Sequence, residues 1–160
     1  MRLMICAVGK IKNAPEALLV NDYTKRIQAT GRGIGISTFA IKEIDPPKSL
    51  KSAARQEHES TAILASIPPG CTKIILDERG DALKSTEFAR LIENKRDQGV
   101  GDMAFLIGGA DGHSSQLLDE AEKKIAFGPA TWPHMLVRAM LCEQIYRAMT
   151  ILTGHPYHRA

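Results

Sequence analysis

The sequence predicts an α/β domain with a mainly parallel sheet flanked by helices. Short apolar, β-rich runs alternate with longer stretches of helical rhythm along the whole chain. One of those runs, Met103 to Ile107, is apolar throughout, as a strand covered on both faces must be. Glycine and proline punctuate the ends of the runs, where strands turn into helices.

Each element has its own justification. Leu3 to Val8 is a compact apolar run ended by Gly9, and Pro15 through Ala29 sets Leu18, Leu19, Tyr23 and Ile27 on one side of a helix. Ile34 to Ile44 is rich in β-branched residues and is stopped by Pro46 and Pro47. Ser49 then opens a polar stretch carrying Leu50, Ala54, Ala62, Ile63 and Leu64 before Pro68. Thr72 to Leu76 is a third strand, closed by Asp77-Glu78-Arg79-Gly80, and Ser85 is the expected N-cap of a helix bearing Phe88, Leu91 and Ile92 to about Gln98. Met103 to Ile107 turns through Gly108-Gly109-Ala110-Asp111-Gly112 into a helix expected from Ser114 to about Lys123. A short strand near Ile125 and Phe127 precedes Gly128-Pro129-Ala130-Thr131-Trp132-Pro133, with Pro133 as the expected first residue of a long final helix.

A chain of 160 residues suits one compact domain, 1–160, since single cores commonly span roughly 100 to 200 residues. Its 44% apolar and 24% charged residues are ordinary, and no apolar run approaches the ~18 residues of a membrane helix, so no membrane association is expected. Met1 to Lys12 reads as a first strand and not as a signal peptide, because Gly9, Lys10 and Lys12 break the run. Cys6, Cys71 and Cys142 are odd in number and far apart in apolar surroundings. They point to a reduced, cytoplasmic setting without disulfides or zinc. A net charge of +3 and a pI near 8.8 permit a polyanionic partner without requiring one.

Four features carry potential chemistry. The Gly108–Gly112 turn lets a backbone approach a ligand closely, though a plain strand-to-helix turn reads the same way. It matches neither the dinucleotide fingerprint nor the phosphate loop with its lysine. The final helix carries Val137, Leu141, Ile145, Ala148 and Leu152 in one row, with Leu136, Met140 and Ile151 widening the apolar surface. It is either sunk in the core or shared between a sheet and a second copy of the chain. Within it, Glu143 and Arg147 form an i, i+4 pair, and Arg138 among apolar neighbours must meet a carboxylate, carbonyls or an anion. Beyond Gly154, His155, Tyr157, His158 and Arg159 supply imidazoles, a phenol and a guanidinium suited to stacking on a base and meeting phosphate; the plain alternative is an unstructured terminus. His155 and His158 lack an accompanying carboxylate or thiolate, so no metal is expected, and His58 and His113 read as surface residues.

Several stretches together resemble the large-subunit ribosomal RNA pseudouridine-N3 methyltransferases of the SPOUT superfamily, named for pseudouridine 1915 of 23S rRNA. They are Leu3 to Gly9, Leu76-Asp77 with Gly80, Phe105 to Gly109 with Gly112, Pro133-His134, Leu136-Val137-Arg138, Glu143 to Ala148, and His155 to Arg159. The resemblance implies a trefoil-knotted α/β fold, an exception to the rule that chains do not thread themselves, and a homodimer. It implies S-adenosylmethionine as cofactor, held by Leu76, Asp77, Gly108, Gly109 and the loop Phe127, Gly128, Pro129, Ala130, Thr131, Trp132 and Pro133, largely through backbone groups. It implies ribosomal RNA within the assembled ribosome as partner.

Methyl transfer to nitrogen is an in-line displacement, so holding the two reacting atoms at near-attack distance is the main task. The N3 proton must leave, and the negative charge that results needs a cation or donor nearby. On this resemblance the catalytic candidates are Tyr157, His158 and Arg159, with Arg138 after them; His158 is the natural base, and Arg159 suits phosphate or developing charge. The chain departs from the family in reading Ala110-Asp111-Gly112-His113 where Pro-Glu-Gly is expected, and Gly128-Pro129-Ala130 in the later loop. Both departures put side-chain contacts in doubt, not the cofactor. The rival readings are another cofactor-binding α/β enzyme, flavodoxin-like or nucleotide-hydrolysing, and a non-enzymatic ribosome-associated RNA-binding protein.

Overall fold

The computed structural model describes residues 1–159. Five strands, β1 (Arg2–Val8), β2 (Thr38–Ile44), β3 (Thr72–Ala82), β4 (Asp102–Ile107) and β5 (Lys123–Ala126), form one sheet in the order β2-β1-β4-β3-β5. Every neighbouring pair is parallel, with Leu3 opposite both Phe39 and Met103, and Leu76 opposite both Ile107 and Ile125. The connecting helices are α1 (Pro15–Gly31), α2 (Ser52–Ser66), α3 (Ser85–Asp97) and α4 (Ser115–Asp119), and α5 (His134–Leu152) follows β5. Among the described residues no helix is long and apolar enough to cross a membrane.

Side chains alternate across a strand, and the two faces of this sheet are both apolar. Leu3, Ile5, Ala7, Ile74, Met103, Phe105 and Ile107 point to one core with Val20 and Ile27 of α1, Phe88 and Ile92 of α3, and Leu141 and Ile145 of α5. Met4, Cys6, Val8, Ile75, Ala104 and Leu106 point to the other, with Ile63 of α2 and Leu117 of α4. Each fully buried Ile or Leu contributes about 2 kcal/mol of burial. The unbroken apolar runs of β1 and β4 are therefore the signature of two covered faces, as the sequence predicts.

Several boundaries differ from the sequence expectation. The strand expected from Ile34 begins at Thr38, because residues 32–34 form a 3-10 turn and Gly35 takes a left-handed φ of 79° before Ile36 N–H bonds back to the Gly31 carbonyl at 2.9 Å. The polar stretch opened by Ser49 becomes helical only from Ser52. Ser85 is not the N-cap of α3: Lys84 is, and Glu87 Oε2 accepts the Lys84 N–H at 2.8 Å. The helix expected to reach Lys123 stops at Asp119, since Glu122 N–H bonds to the Lys73 carbonyl at 3.0 Å and draws the chain into β5 alongside β3. Pro133 caps α5 at ψ 136° instead of being its first residue. On α1, Leu18 and Leu19 are 76% and 48% exposed, and Val20 and Ile27 take the inward side.

The segment Asp77-Glu78-Arg79-Gly80 does not end β3. It is an irregularity within it, after which Asp81 pairs again with Ile125 and Ala82 with Ala126. A Cβ on Gly80 would lie 2.5–2.7 Å from Ile125 backbone atoms, so only glycine lets the two strands approach this closely. The bulge re-aims Leu76 and Asp77 at the loops beyond β4 and β5. α5 lies on the sheet between α1 and α3, burying Ala139, Leu141, Cys142, Ile145, Tyr146, Ala148 and Met149 within one chain. Met135, by contrast, is 39% exposed.

Candidate functional site

A cavity of about 320 Å³ opens at the carboxyl ends of β3, β4 and β5, where parallel sheets place ligands. Its wall contains Leu76, Asp77, Gly108, Gly109, Phe127, Gly128, Ala130, Thr131 and Trp132, all marked in the sequence. Pro129 and Pro133 are exposed and are not part of the wall. Trp132, 40% exposed, donates its indole N–H to the Phe127 carbonyl at 3.1 Å, which folds the loop over the cavity mouth. The wall also includes Gln56, Arg79, His113, His134 and Val137, which sequence reasoning did not mark as ligand contacts.

Asp77 accepts the Arg79 backbone N–H at 2.9 Å and its guanidinium at 3.0 and 3.2 Å. The bonds from Arg79 hold the Asp77 carboxyl below its usual range. The glycine turn folds tightly on itself: Gly112 N–H bonds to the Gly109 carbonyl at 3.0 Å, and a Cβ on Gly108 would lie 2.9 Å from the Gly112 carbonyl carbon. Backbone groups thus form this side of the cavity.

His113 corrects a sequence expectation. It is 5% exposed instead of lying on the surface, and neither ring nitrogen has a hydrogen-bond partner. Burial pushes its pKa down to about 4, against the pull of the Asp77 charge, so the ring is neutral near pH 7. The cause lies in its neighbour: Ser114 caps α4, receives the Leu117 N–H at 3.4 Å and gives its own N–H to Ser60 Oγ at 2.9 Å. With Ser114 anchored in the interior, the residue before it is drawn inward too.

The chain end is folded back onto α5. Gly154 takes a φ of 65°, Gly154 N–H bonds to Ile151 O at 3.2 Å and His155 N–H to Thr150 O at 2.9 Å, the paired bonds of a Schellman cap. Tyr157 then meets Tyr146 edge-on at 4.9 Å and lies under the Arg147 guanidinium at 5.0 Å. Its hydroxyl bonds to Glu143 Oε1 at 3.1 Å and sits 3.3 Å from the Tyr23 hydroxyl. Burial, followed by those neighbours, raises the Tyr157 pKa, which keeps the phenol neutral. Arg147 Nε bonds to Glu143 Oε1 at 3.0 Å and Nη1 approaches His158 Nδ1 at 3.5 Å. The Glu143–Arg147 pair is therefore the tail's anchor as well as an intrahelical ion pair. Tyr157 and His158 come together here while Arg159 is exposed, and none of the three lines the cavity of the same chain.

Arg138 is 2% exposed and finds both partner types that its apolar setting requires. Nη1 pairs with Glu43 Oε1 at 2.5 Å, while Nη2 reaches the Gly9 and Val8 carbonyls at 2.9 and 3.4 Å. Glu43 Oε1 also accepts the Ile11 N–H at 3.0 Å, so the guanidinium ties α5 to the loop after β1. Desolvation lowers the Arg138 pKa and Glu43 opposes that shift.

The model of the family described as "Predicted SPOUT methyltransferase" matches residues 1–158. The protein of Maricaulis maris (strain MCS10) named ribosomal RNA large subunit methyltransferase H is 51% identical over 159 residues, 99% of this chain and 99% of its own. Its namesake from Bradyrhizobium diazoefficiens is 49% identical over 160 residues, the full length of both chains. A crystal structure of Archaeoglobus fulgidus Nep1 bound to S-adenosylhomocysteine aligns with 50% of this chain and 34% of that one, at 18% identity and a TM-score of 0.37. With the match running almost end to end, the chain belongs to the SPOUT methyltransferase family.

Proposed function

We propose that this chain transfers the methyl group of S-adenosylmethionine to N3 of a pseudouridine in 23S ribosomal RNA, acting as a homodimer on the assembled ribosome. The observation that carries the reading is the 51% identity, over nearly all of both chains, to a ribosomal RNA large subunit methyltransferase H. The cavity fits the cofactor: an apolar floor of Leu76 and Ile125, the side-chain-free backbone of Gly108 and Gly109 in its wall, and the acidic Asp77 beside them suit an adenosine bearing a charged amino acid. The trefoil knot belongs to this reading, as does the single domain 1–160.

The bound cofactor supplies an electrophilic methyl carbon. The chain's own residues do the rest. Leu76, Phe127 and Trp132 enclose the ligand, and the glycine turn meets it through backbone groups. His158 takes the N3 proton, while Tyr157 and Arg159 hold the base and a phosphate. Because none of the described tail residues lines its own chain's cavity, a complete site needs the tail of a second copy. Exposed Leu18 and Met135 are apolar surface for that contact. Arg138 fastens α5, which contributes Val137 to the cavity wall, to Glu43 and the Val8 and Gly9 carbonyls.

The test is tritium transfer from labelled S-adenosylmethionine to ribosomes from a strain lacking the gene, with mapping of the modified nucleotide. Incorporation into one pseudouridine of 23S rRNA is the expected result, and its absence sinks the enzymatic reading in favour of a binding protein. A monomer in sedimentation at micromolar concentration would remove the dimer from it.

A further inference from the structure

One face of α2 grips the glycine turn from behind. Arg55, Gln56, Glu59 and Ser60 share that face by helical spacing. Arg55 Nε bonds to Asp111 Oδ2 at 2.5 Å, Gln56 Nε2 bonds to the Asp111 carbonyl, and Ser60 Oγ takes the Ser114 N–H at 2.9 Å. Glu59 stands among them, 2% exposed, with Oε2 lacking any partner. An unpaired buried carboxylate oxygen weakens a fold, and an apolar residue would suit this helix better.

What Glu59 touches gives it a use. Glu59 lies directly against the Gly109 backbone, and burial pushes its pKa up while the nearby Arg55 charge opposes that shift. A Cβ built on Gly109 would lie 3.0 Å from Glu59 Cδ and Oε1 and closer still to Oε2, and these are its three nearest atoms. Gly109 is not among the residues with positive φ, so its backbone conformation tolerates a side chain. The space for one is occupied by Glu59.

We propose that Glu59 is a positioning residue of the cofactor site: its buried carboxylate packs against Gly109 in the space a side chain there would need, fixing the Gly108–Gly112 turn in its ligand-binding shape. Glu59 does not line the cavity and acts through Gly109. The inference rests on the methyltransferase reading.

A double-mutant cycle read by calorimetry with S-adenosylhomocysteine tests it. Glu59→Gln keeps the side-chain volume behind Gly109 and should bind within about threefold of the native chain, whereas Glu59→Ala should bind about tenfold or more weakly. Gly109→Ala should weaken binding by at least about tenfold in the native background but by no more than about threefold beside Glu59→Ala, because the clash is gone. In hydrogen exchange, Glu59→Ala should speed the amides of residues 109–114 and leave those of β1 and β4 protected. Native affinity in Glu59→Ala, an equal effect of Gly109→Ala in both backgrounds, or uniform loss of protection would each overturn the proposal alone. If the native chain itself binds neither S-adenosylmethionine nor S-adenosylhomocysteine, the methyltransferase reading falls with it.

Discussion

The Tyr157 hydroxyl donates to Glu143 Oε1 at 3.1 Å, the same oxygen that receives Arg147 Nε at 3.0 Å. Since that hydroxyl donates to Glu143, the Tyr23 hydroxyl at 3.3 Å donates to it in turn. One carboxylate on α5 thereby couples the chain end, its own helix and α1.

Tyr157→Phe removes the hydroxyl and keeps the ring against Tyr146 and Arg147. Stability in urea should fall by about 1 kcal/mol, the net worth of a typical hydrogen bond. Methyl transfer to ribosomes should fall by at least about tenfold as the tail loses its fixed position. Affinity for S-adenosylhomocysteine should stay near native, because in the proposed site the tail holds the target base and not the cofactor. A large loss of cofactor affinity would contradict this division of labour.

Arg138→Met leaves Glu43 and the Val8 and Gly9 carbonyls without their guanidinium. Breaking a buried pair in this way costs about 3 to 5 kcal/mol, and Glu43, partly exposed, places the expected loss at the lower end. The measurement is the urea midpoint. An unchanged midpoint with lost methylation would instead make Arg138 a residue that touches substrate.

His113 is neutral when folded, with a pKa of about 4 against an ordinary 6.5. Between those values the unfolded chain binds more protons than the folded one. The contribution is present above pH 6.5 and is lost as pH falls toward 4, a change on the order of 3 kcal/mol. His113→Leu keeps the space filled without unpaired nitrogens, so its unfolding free energy should depend less on pH across that window. An identical acid profile in the two proteins would refute the assignment.

Trp132 is the chain's single tryptophan and stands in the cavity wall, 40% exposed. Titration with S-adenosylhomocysteine should shift its emission to shorter wavelength as the ring loses water. Trp132→Phe should abolish that signal while calorimetry still detects binding. A saturating ligand that leaves the emission unchanged would place the cofactor elsewhere.

Much of this molecule is legible along the chain. The unbroken runs of β1 and β4 announce strands covered on both faces, because alternating side chains of such strands meet two cores. The glycines at 108, 109 and 112 and the loop from Phe127 to Trp132 do line a cavity, but only the family resemblance, and not the residues by themselves, marked them as ligand positions. The burial of Arg138 follows from its apolar neighbours, and so does its need for partners.

Helix ends were harder to read, since a bond to a distant strand overrides local rhythm, as Glu122 shows by joining Lys73. The inward turn of His113 and the grip of Glu59 on Gly109 were also hidden, because each depends on a helix more than 45 residues away in the chain. Composition and periodicity report which surfaces a segment needs covered, and they marked the strands and helices of this protein, while the glycine turn alone read equally as a plain strand-to-helix turn. Which neighbour does the covering is a matter of packing, and only the tertiary structure decided that α2 packs behind the glycine turn and that the tail folds back on α5.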